Sequence, residues 1–247
     1  MGRTVCALSR LAKRQTAPAQ ADGGLAWGMA ALDSEMIVPY YAAMTAPSSP
    51  RRSGPGRPRE FDTDLALDRA IAVFSERGYQ GAAISDLTRA LGLTAGSLYK
   101  AFTDKRGLFL AAFDRYVALR TERLRAALEG APTGRAKIKA VLDFYAGSSH
   151  GADGRRGCLV VAGAVDLATA DPEIAARVTG ALHLNEGRLA DLVAEGQADG
   201  TIAPHLDPMV TARLLLCVLQ GMRVVGKTGR DRAEMAPLAD NAMKLLD

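Results

Sequence analysis

Residues 85–102 read SDLTRALGLTAGSLYKAF, two short helical segments separated by a glycine, and the fold follows from how they divide. In the first segment Ile84, Leu87 and Leu91 repeat at helical spacing, with Ser85 as N-cap and Asp86 near the positive end of the helix dipole. Gly92 ends it. Thr94 caps the second, whose inward residues are Leu98 and Phe102. Two short helices joined by a tight turn predict a helix-turn-helix. Ala95, Gly96 and Ser97 then need a reason, because Gly96 alone costs about 1 kcal/mol of helix propensity relative to Ala. With Leu98 and Phe102 inward, Thr94, Ala95, Ser97 and Lys100 face outward and Tyr99 lies at the flank. A face of short side chains lets a helix backbone sit deep in a major groove, where hydroxyls and a lysine reach base edges or phosphates.

The neighbouring residues support that reading. Upstream, Leu67, Ala70, Ile71 and Phe74 form one face of an amphipathic helix that Asp62 or Thr63 caps and Gly78 ends. Downstream, Asp104 caps a long helix from Lys105 to about Glu129. Lys105 stands in its first turn, against the usual preference for acidic residues there, which predicts an external negative partner. The free N–H groups at Thr94 favour a phosphate in the same way. Before the helices, RRSGPGRPR at 51–59 places Arg51, Arg52, Arg57 and Arg59 on an arm able to follow a DNA backbone or enter a minor groove.

Charge is distributed accordingly. Residues 1–50 hold four basic and three acidic side chains, residues 51–106 ten and seven, and residues 107–247 seventeen of each. A basic segment on a neutral body is the footprint of a part that touches phosphate. Residues 1–56 have no sustained period and are rich in Pro and Ser toward their end, which predicts a disordered extension, with Met44 as a candidate start of translation.

Residues 57–113 resemble the DNA-binding domain of TetR-family transcriptional regulators. The resemblance is carried by Phe74 and Gly78 closing the first helix, by SDLTRALGLTAGSLYKAF, and by DKRGLF opening the fourth helix. It implies a homodimer that binds a palindromic operator as a repressor, with its third helices (94–101) in successive major grooves. It also implies a helical C-terminal domain that binds a small-molecule inducer. By the family's pattern Thr94, Ser97, Tyr99, Lys100 and Lys105 contact double-stranded operator DNA, Tyr99 and Lys105 chiefly at phosphates. Arg57, Arg59, Ser85, Ala95 and Gly96 complete the expected DNA-facing set.

The remainder is helical too. Two start signals, Asp171-Pro172 and Asp207-Pro208, each place Asp at the N-cap and Pro at the first helical position. HGADGRRG (150–157) reads as a loop, CLVVAGAVDLA as a short apolar helix, and Pro237 as a kink in the last helix. The stretch MVTARLLLCVLQGMRVVG, apolar on more than one face, is the dimer-interface candidate, with Gly221 allowing close contact. Cys217 within it reads as core. Cys158 follows Gly157 at the start of a helix beside Arg155 and Arg156, a setting that activates a thiol. It resembles the cysteine of the family's electrophile-sensing branch, and the alternative is a small buried hydrophobe. His150 and His183 are candidate pocket residues.

The class expected is therefore all-α. An N-terminal three-helix helix-turn-helix domain over 57–117 precedes a helical ligand-binding and dimerisation domain over 118–247. No apolar run reaches the roughly 18 residues that cross a bilayer, which predicts no membrane partner. Cys6, Cys158 and Cys217 lack disulfide or metal spacing, which predicts no metal or cofactor and a reducing cytoplasm. A Ser/His/Asp set, a phosphate loop and an HExxH motif are missing from the sequence, so an enzyme is not expected. A helical interaction module without DNA binding is the other reading that the bare Ala95–Gly96 face leaves open.

Overall fold

The computed structural model describes residues 62–247. The expected extension over 1–56, the start at Met44, Cys6, and the arm with Arg57 and Arg59 lie outside the described residues. In chain order the helices are α1 (Thr63–Gly81), α2 (Ile84–Leu91), α3 (Ala95–Phe102), α4 (Lys105–Leu128), α5 (Gly134–Gly147) and α6 (Gly151–Arg156). Then come α7 (Leu159–Asp166), α8 (Pro172–Ala198), α9 (Pro208–Gly226), α10 (Arg232–Ala242) and a closing 3-10 turn, Met243–Leu246. Among the described residues there is no strand, and the fold is all-α.

Local sequence sets most helix starts. The carboxylate of Asp62 accepts from the Leu65 N–H, that of Asp104 from Gly107, and that of Asp207 from Val210, while the Thr94 hydroxyl accepts from Ser97. Each such cap is worth about 1 kcal/mol. Ser85 is a correction. The N-cap of α2 is Ala83, which makes no side-chain hydrogen bond, and Ser85 lies one residue inside the helix with its side chain exposed. Ala83 already has the extended backbone an N-cap requires, and an earlier start brings Ile84 onto the core face beside Leu87.

Three further expectations change. Gly78 does interrupt α1, at φ 70° and ψ 173°, yet the helix resumes as far as Gly81. The segment read as the loop HGADGRRG contains α6. An added Cβ on its Gly154 would stand 2.7 Å from the Ser149 carbonyl carbon, just before the turn, and 3.1 Å from the Gly226 carbonyl oxygen at the end of α9, so local and tertiary packing together require glycine in this turn. The third concerns α9, which is long and apolar enough to cross a membrane by length and composition. Here its inner side instead packs on α8, with Leu215, Leu219 and Met222 buried.

Two hydrophobic clusters organise the molecule. The first joins α1–α4 to α7 and the start of α8, through Phe74, Leu87, Leu98, Phe109, Phe113, Leu159 and Ile174. The rings of Phe74 and Phe109 meet edge to face at 5.2 Å, and Tyr79 meets Phe109 the same way at 5.3 Å, a favoured aromatic geometry. The second cluster gathers α5, the later part of α8, α9 and α10 around Ile138, Leu142, Val193, Leu215 and Met235. Helix α4 supplies residues to both, Val117 to the first and Leu124 to the second.

Candidate nucleic-acid interface and the cavity behind it

Helix α3 is anchored by Leu98, with Phe102 packed half-buried against the same cluster. Leu98 is fully buried, whereas Thr94, Ala95, Gly96, Ser97, Tyr99, Lys100 and Ala101 are all exposed. The turn before it uses Gly92 at φ 68°, a left-handed backbone suited to glycine, whose N–H is held by the Thr88 carbonyl. A Cβ added at Gly96 would meet nothing within 4 Å. Packing inside the chain therefore gives no reason for glycine there. At the N-terminus the Thr94 and Ser97 hydroxyls lie 3.0 Å apart, and the Thr94 oxygen also caps the Ser97 N–H at 3.2 Å. The two hydroxyls are thus held as one pre-positioned polar patch beside Ala95 and Gly96.

The cations of this region are mostly occupied. Arg77 and Arg89 both reach Asp86, at 2.5 and 3.7 Å. Arg69 donates to the Leu91 carbonyl at 3.3 Å, and Arg106 is bound by Asp171 and Glu173. Lys105 places its ammonium 4.5 Å from the centroid of the Tyr79 ring, and burial lowers its pKa. The first turn of α4 therefore tolerates a lysine through an aromatic face, a partner within the chain that stands beside the external anion expected for it. Lys100 pairs with no acidic side chain among the described residues. Residues 62–106 contain six basic and six acidic side chains, so the positive excess of 51–106 belongs to the arm at 51–61.

Behind these helices lies a narrow, partly open cavity of about 30 Å³. Tyr116 and Arg120 of α4, Tyr145 of α5, Cys158, Arg188 of α8 and Gln220 of α9 contribute to its wall. The Tyr116 hydroxyl donates to the Cys158 sulfur at 3.4 Å. Burial pushes the Tyr116 and Tyr145 phenols up, so both stay neutral donors at ordinary pH. Of the cations expected beside Cys158, Arg156 turns instead to Asp153 and Glu76. His150 and His183 do not line the cavity: the first is the N-cap of α6 and the second is exposed on α8. Sequence reasoning missed Tyr116, Arg120, Arg188 and Gln220, which come from three helices distant in the chain and share no spacing signal.

Two linkages join this cavity's walls to the DNA-facing helices. Asp166 at the end of α7 accepts from the Tyr79 backbone N–H at 3.3 Å, and the Lys227 ammonium donates to the Ser75 carbonyl at 3.0 Å. Arg223 is buried in α9, where its guanidinium donates to the carbonyls of Ser148 and Gly157. That clamp fixes the residue preceding Cys158.

Comparison with known proteins agrees with this arrangement. Residues 66–112 match the family model for bacterial regulatory proteins of the tetR family, and residues 134–240 match that for a tetracyclin repressor-like C-terminal domain. The HTH-type transcriptional repressor ComR of Escherichia coli (strain K12) is 31% identical over 195 residues, covering 77% of this chain and 91% of ComR. Among solved structures, a cysteine-substituted form of the TetR family transcriptional regulator CifR, complexed with 26 bp double-strand operator DNA, is 32% identical. It superposes with a TM-score of 0.67 and covers 76% of this chain and 98% of that one. A TetR transcriptional regulator from Chloroflexus aurantiacus J-10-FL is 28% identical with a TM-score of 0.66, over 76% and 94% of the two chains. These relatives are regulators of transcription and not enzymes. With its exposed α3, its capped helix-turn-helix and its helical second half, the chain belongs to the TetR family of transcriptional regulators.

Proposed function

We propose that the chain is a homodimeric repressor that binds a palindromic operator through residues 57–117 and is released when a small molecule enters the cavity of residues 118–247. The observation that carries the DNA-facing part is α3 itself, exposed along its whole outer face, with Gly96 in open space. Thr94, Ser97 and Lys100 would read base edges from that face, where Ala95 and Gly96 let the backbone approach. Tyr99 and Lys105 would hold phosphates at the flank, and Arg57 and Arg59 would follow the backbone or minor groove. Ser85, exposed in the first turn of α2, lies where a helix N-terminus favours a phosphate. The site of action is the cytoplasm, where the DNA is.

Self-association is supported by an exposed stripe on α9. Val210, Leu214, Cys217, Gly221 and Val224 follow alternating steps of four and three residues, and all are exposed. Such a seam covers itself when a second copy packs across a two-fold axis. Cys217, expected in the core, stands in this stripe instead, because the inner side of α9 is already filled by Leu215, Leu219 and Met222.

A gel-shift titration against the DNA upstream of the chain's own gene tests the reading. Salt-sensitive binding at a palindrome is expected, with affinity falling as salt rises; binding that shows no preference for any sequence would overturn it. A second reading, in which the inducer is an electrophile captured by the Cys158 thiol, is favoured by the place of Cys158 in the cavity wall. A Cys158→Ser variant that leaves the operator normally on electrophile treatment would retire it.

A further inference from the structure

The cavity has an electrostatic character that narrows its ligand. Among its wall residues are two guanidinium groups and no carboxylate. Arg188 makes no ion pair or hydrogen bond among the described residues, although it is half-buried and desolvation lowers its pKa. Arg120 lies over the rings of Phe144 and Tyr145, at 4.3 and 5.1 Å from their centroids, and donates to the Ser148 hydroxyl at 2.9 Å. Arg120 also reaches the Tyr145 hydroxyl and pairs with no carboxylate among the described residues. The side-chain oxygen of Gln220 is buried without a hydrogen-bond partner, and a half-turn of that amide would present an N–H instead. Cations held away from water without a counter-charge are unfavourable unless a partner arrives.

A second, apolar hollow continues from the first. It is a crevice of about 10 Å³ that shares Leu124, Tyr145, Asn185 and Arg188 with the first, and Leu128, Val141, Leu189, Leu192 and Leu219 complete its wall. Arg188 therefore stands at the junction of a cationic chamber and an aliphatic one.

We propose that the cavity binds a small amphipathic organic acid, its carboxylate held by Arg188 and Arg120 and its hydrocarbon body lying against Leu128, Val141 and Leu192. The planar carboxylate matches the guanidinium fork. The Tyr145 hydroxyl, a neutral donor, completes the shell around its oxygens, while the Tyr116 hydroxyl donates to Cys158. Since the two spaces hold only about 30 and 10 Å³, seating the hydrocarbon would part α4, α5 and α8 around the anchored anion. The proposal rests on the reading of this cavity as the inducer site.

The test uses the full-length chain with hexanoate and benzoate, set against hexanamide and benzamide at equal concentration. Thermal shift reads binding, and release of a labelled operator reads induction. The acids should raise Tm and release operator, while the amides do neither. Arg188→Leu should raise the acid concentration needed by roughly ten- to hundredfold, Arg188→Lys by less, and the surface control Arg230→Gln not at all. Amides that act as well as the acids, or an Arg188→Leu variant that responds unchanged, would overturn the proposal and leave a neutral inducer standing. Acids that bind and shift Tm without releasing operator would uphold the anion site and remove the inducer reading. No shift with either acid overturns the anion site.

Discussion

The carboxylate of Asp166, at the end of α7, accepts a hydrogen bond from the backbone N–H of Tyr79, 87 residues earlier in the chain, at 3.3 Å. The bond falls one residue after Gly78, whose left-handed backbone breaks α1 and whose added Cβ would stand 2.6 Å from the same carboxylate oxygen. Cys158, the N-cap of α7, lies in the cavity wall. The chain thus has a direct route from cavity to DNA-facing domain: α7 carries one end in each.

Gly78→Ala should therefore act twice. The positive φ and the displaced Asp166 together should lower stability by about 1–3 kcal/mol, seen as a fall in Tm. Asp166→Ala should lower Tm less and blunt release of operator by inducer. If Asp166→Ala released normally, α7 would not be the connection.

Gly96→Ala should separate folding from binding. With open space around the position, the substitution should stabilise α3 by up to about 1 kcal/mol and raise Tm slightly. Operator affinity should fall, because a methyl group holds the backbone away from the base edges. Unchanged affinity would remove close approach as the reason for glycine.

Lys100 and Lys105 should differ in kind. Lys100→Gln should cost about 1–3 kcal/mol of operator binding and relax sequence preference. Lys105→Gln should weaken binding to all sequences, reduce the salt slope by about one, and also lower stability by about 0.5–1 kcal/mol through loss of the Tyr79 contact. Competition titrations with permuted operators at several salt concentrations distinguish the two.

Acid should loosen the contact between α4 and α8. Hydrogen bonds from Arg106 hold the Asp171 carboxyl down at about 2, below the ordinary value of about 3.9. A depressed carboxylate contributes stability that is fully present above the unfolded value and is lost as pH falls through the folded one. Between about pH 4 and pH 2 the chain should lose Tm faster than an Arg106→Leu variant, whose Asp171 lacks that partner. Parallel slopes in that window would exclude the pair as an acid-labile link.

Gly221→Leu should dissociate the dimer while sparing the chain's own packing, since nothing lies within 4 Å of a Cβ there. Sedimentation should show monomers, and alkylation of Cys217 should become faster. A variant that stays dimeric would move the interface off the α9 seam.

The local sequence alone determined the helical class, the capped starts at Thr94, Asp104, Asp171 and Asp207, and the outward face of α3, because caps and helical periodicity act within a few residues; between Asp62 and Thr63 it left the first cap open, and the structure uses Asp62. Ser85 escaped that logic only by a two-residue shift that the burial of Ile84 explains. Charge could be counted but not assigned: Arg77, Arg89 and Arg106 are paired and Lys105 lies on Tyr79, partners the sequence places nearby only by chance. What belonged wholly to the tertiary structure was the second half of the argument. Cys217 turned outward because the inner side of α9 was filled. Arg120 and Arg188 met over a cavity because α4, α5 and α8 converge there. Asp166 reached Tyr79 because α7 packs against α1. Those meetings depend on long-range packing of apolar faces, which fixes where helices cross and leaves no spacing in the chain to read.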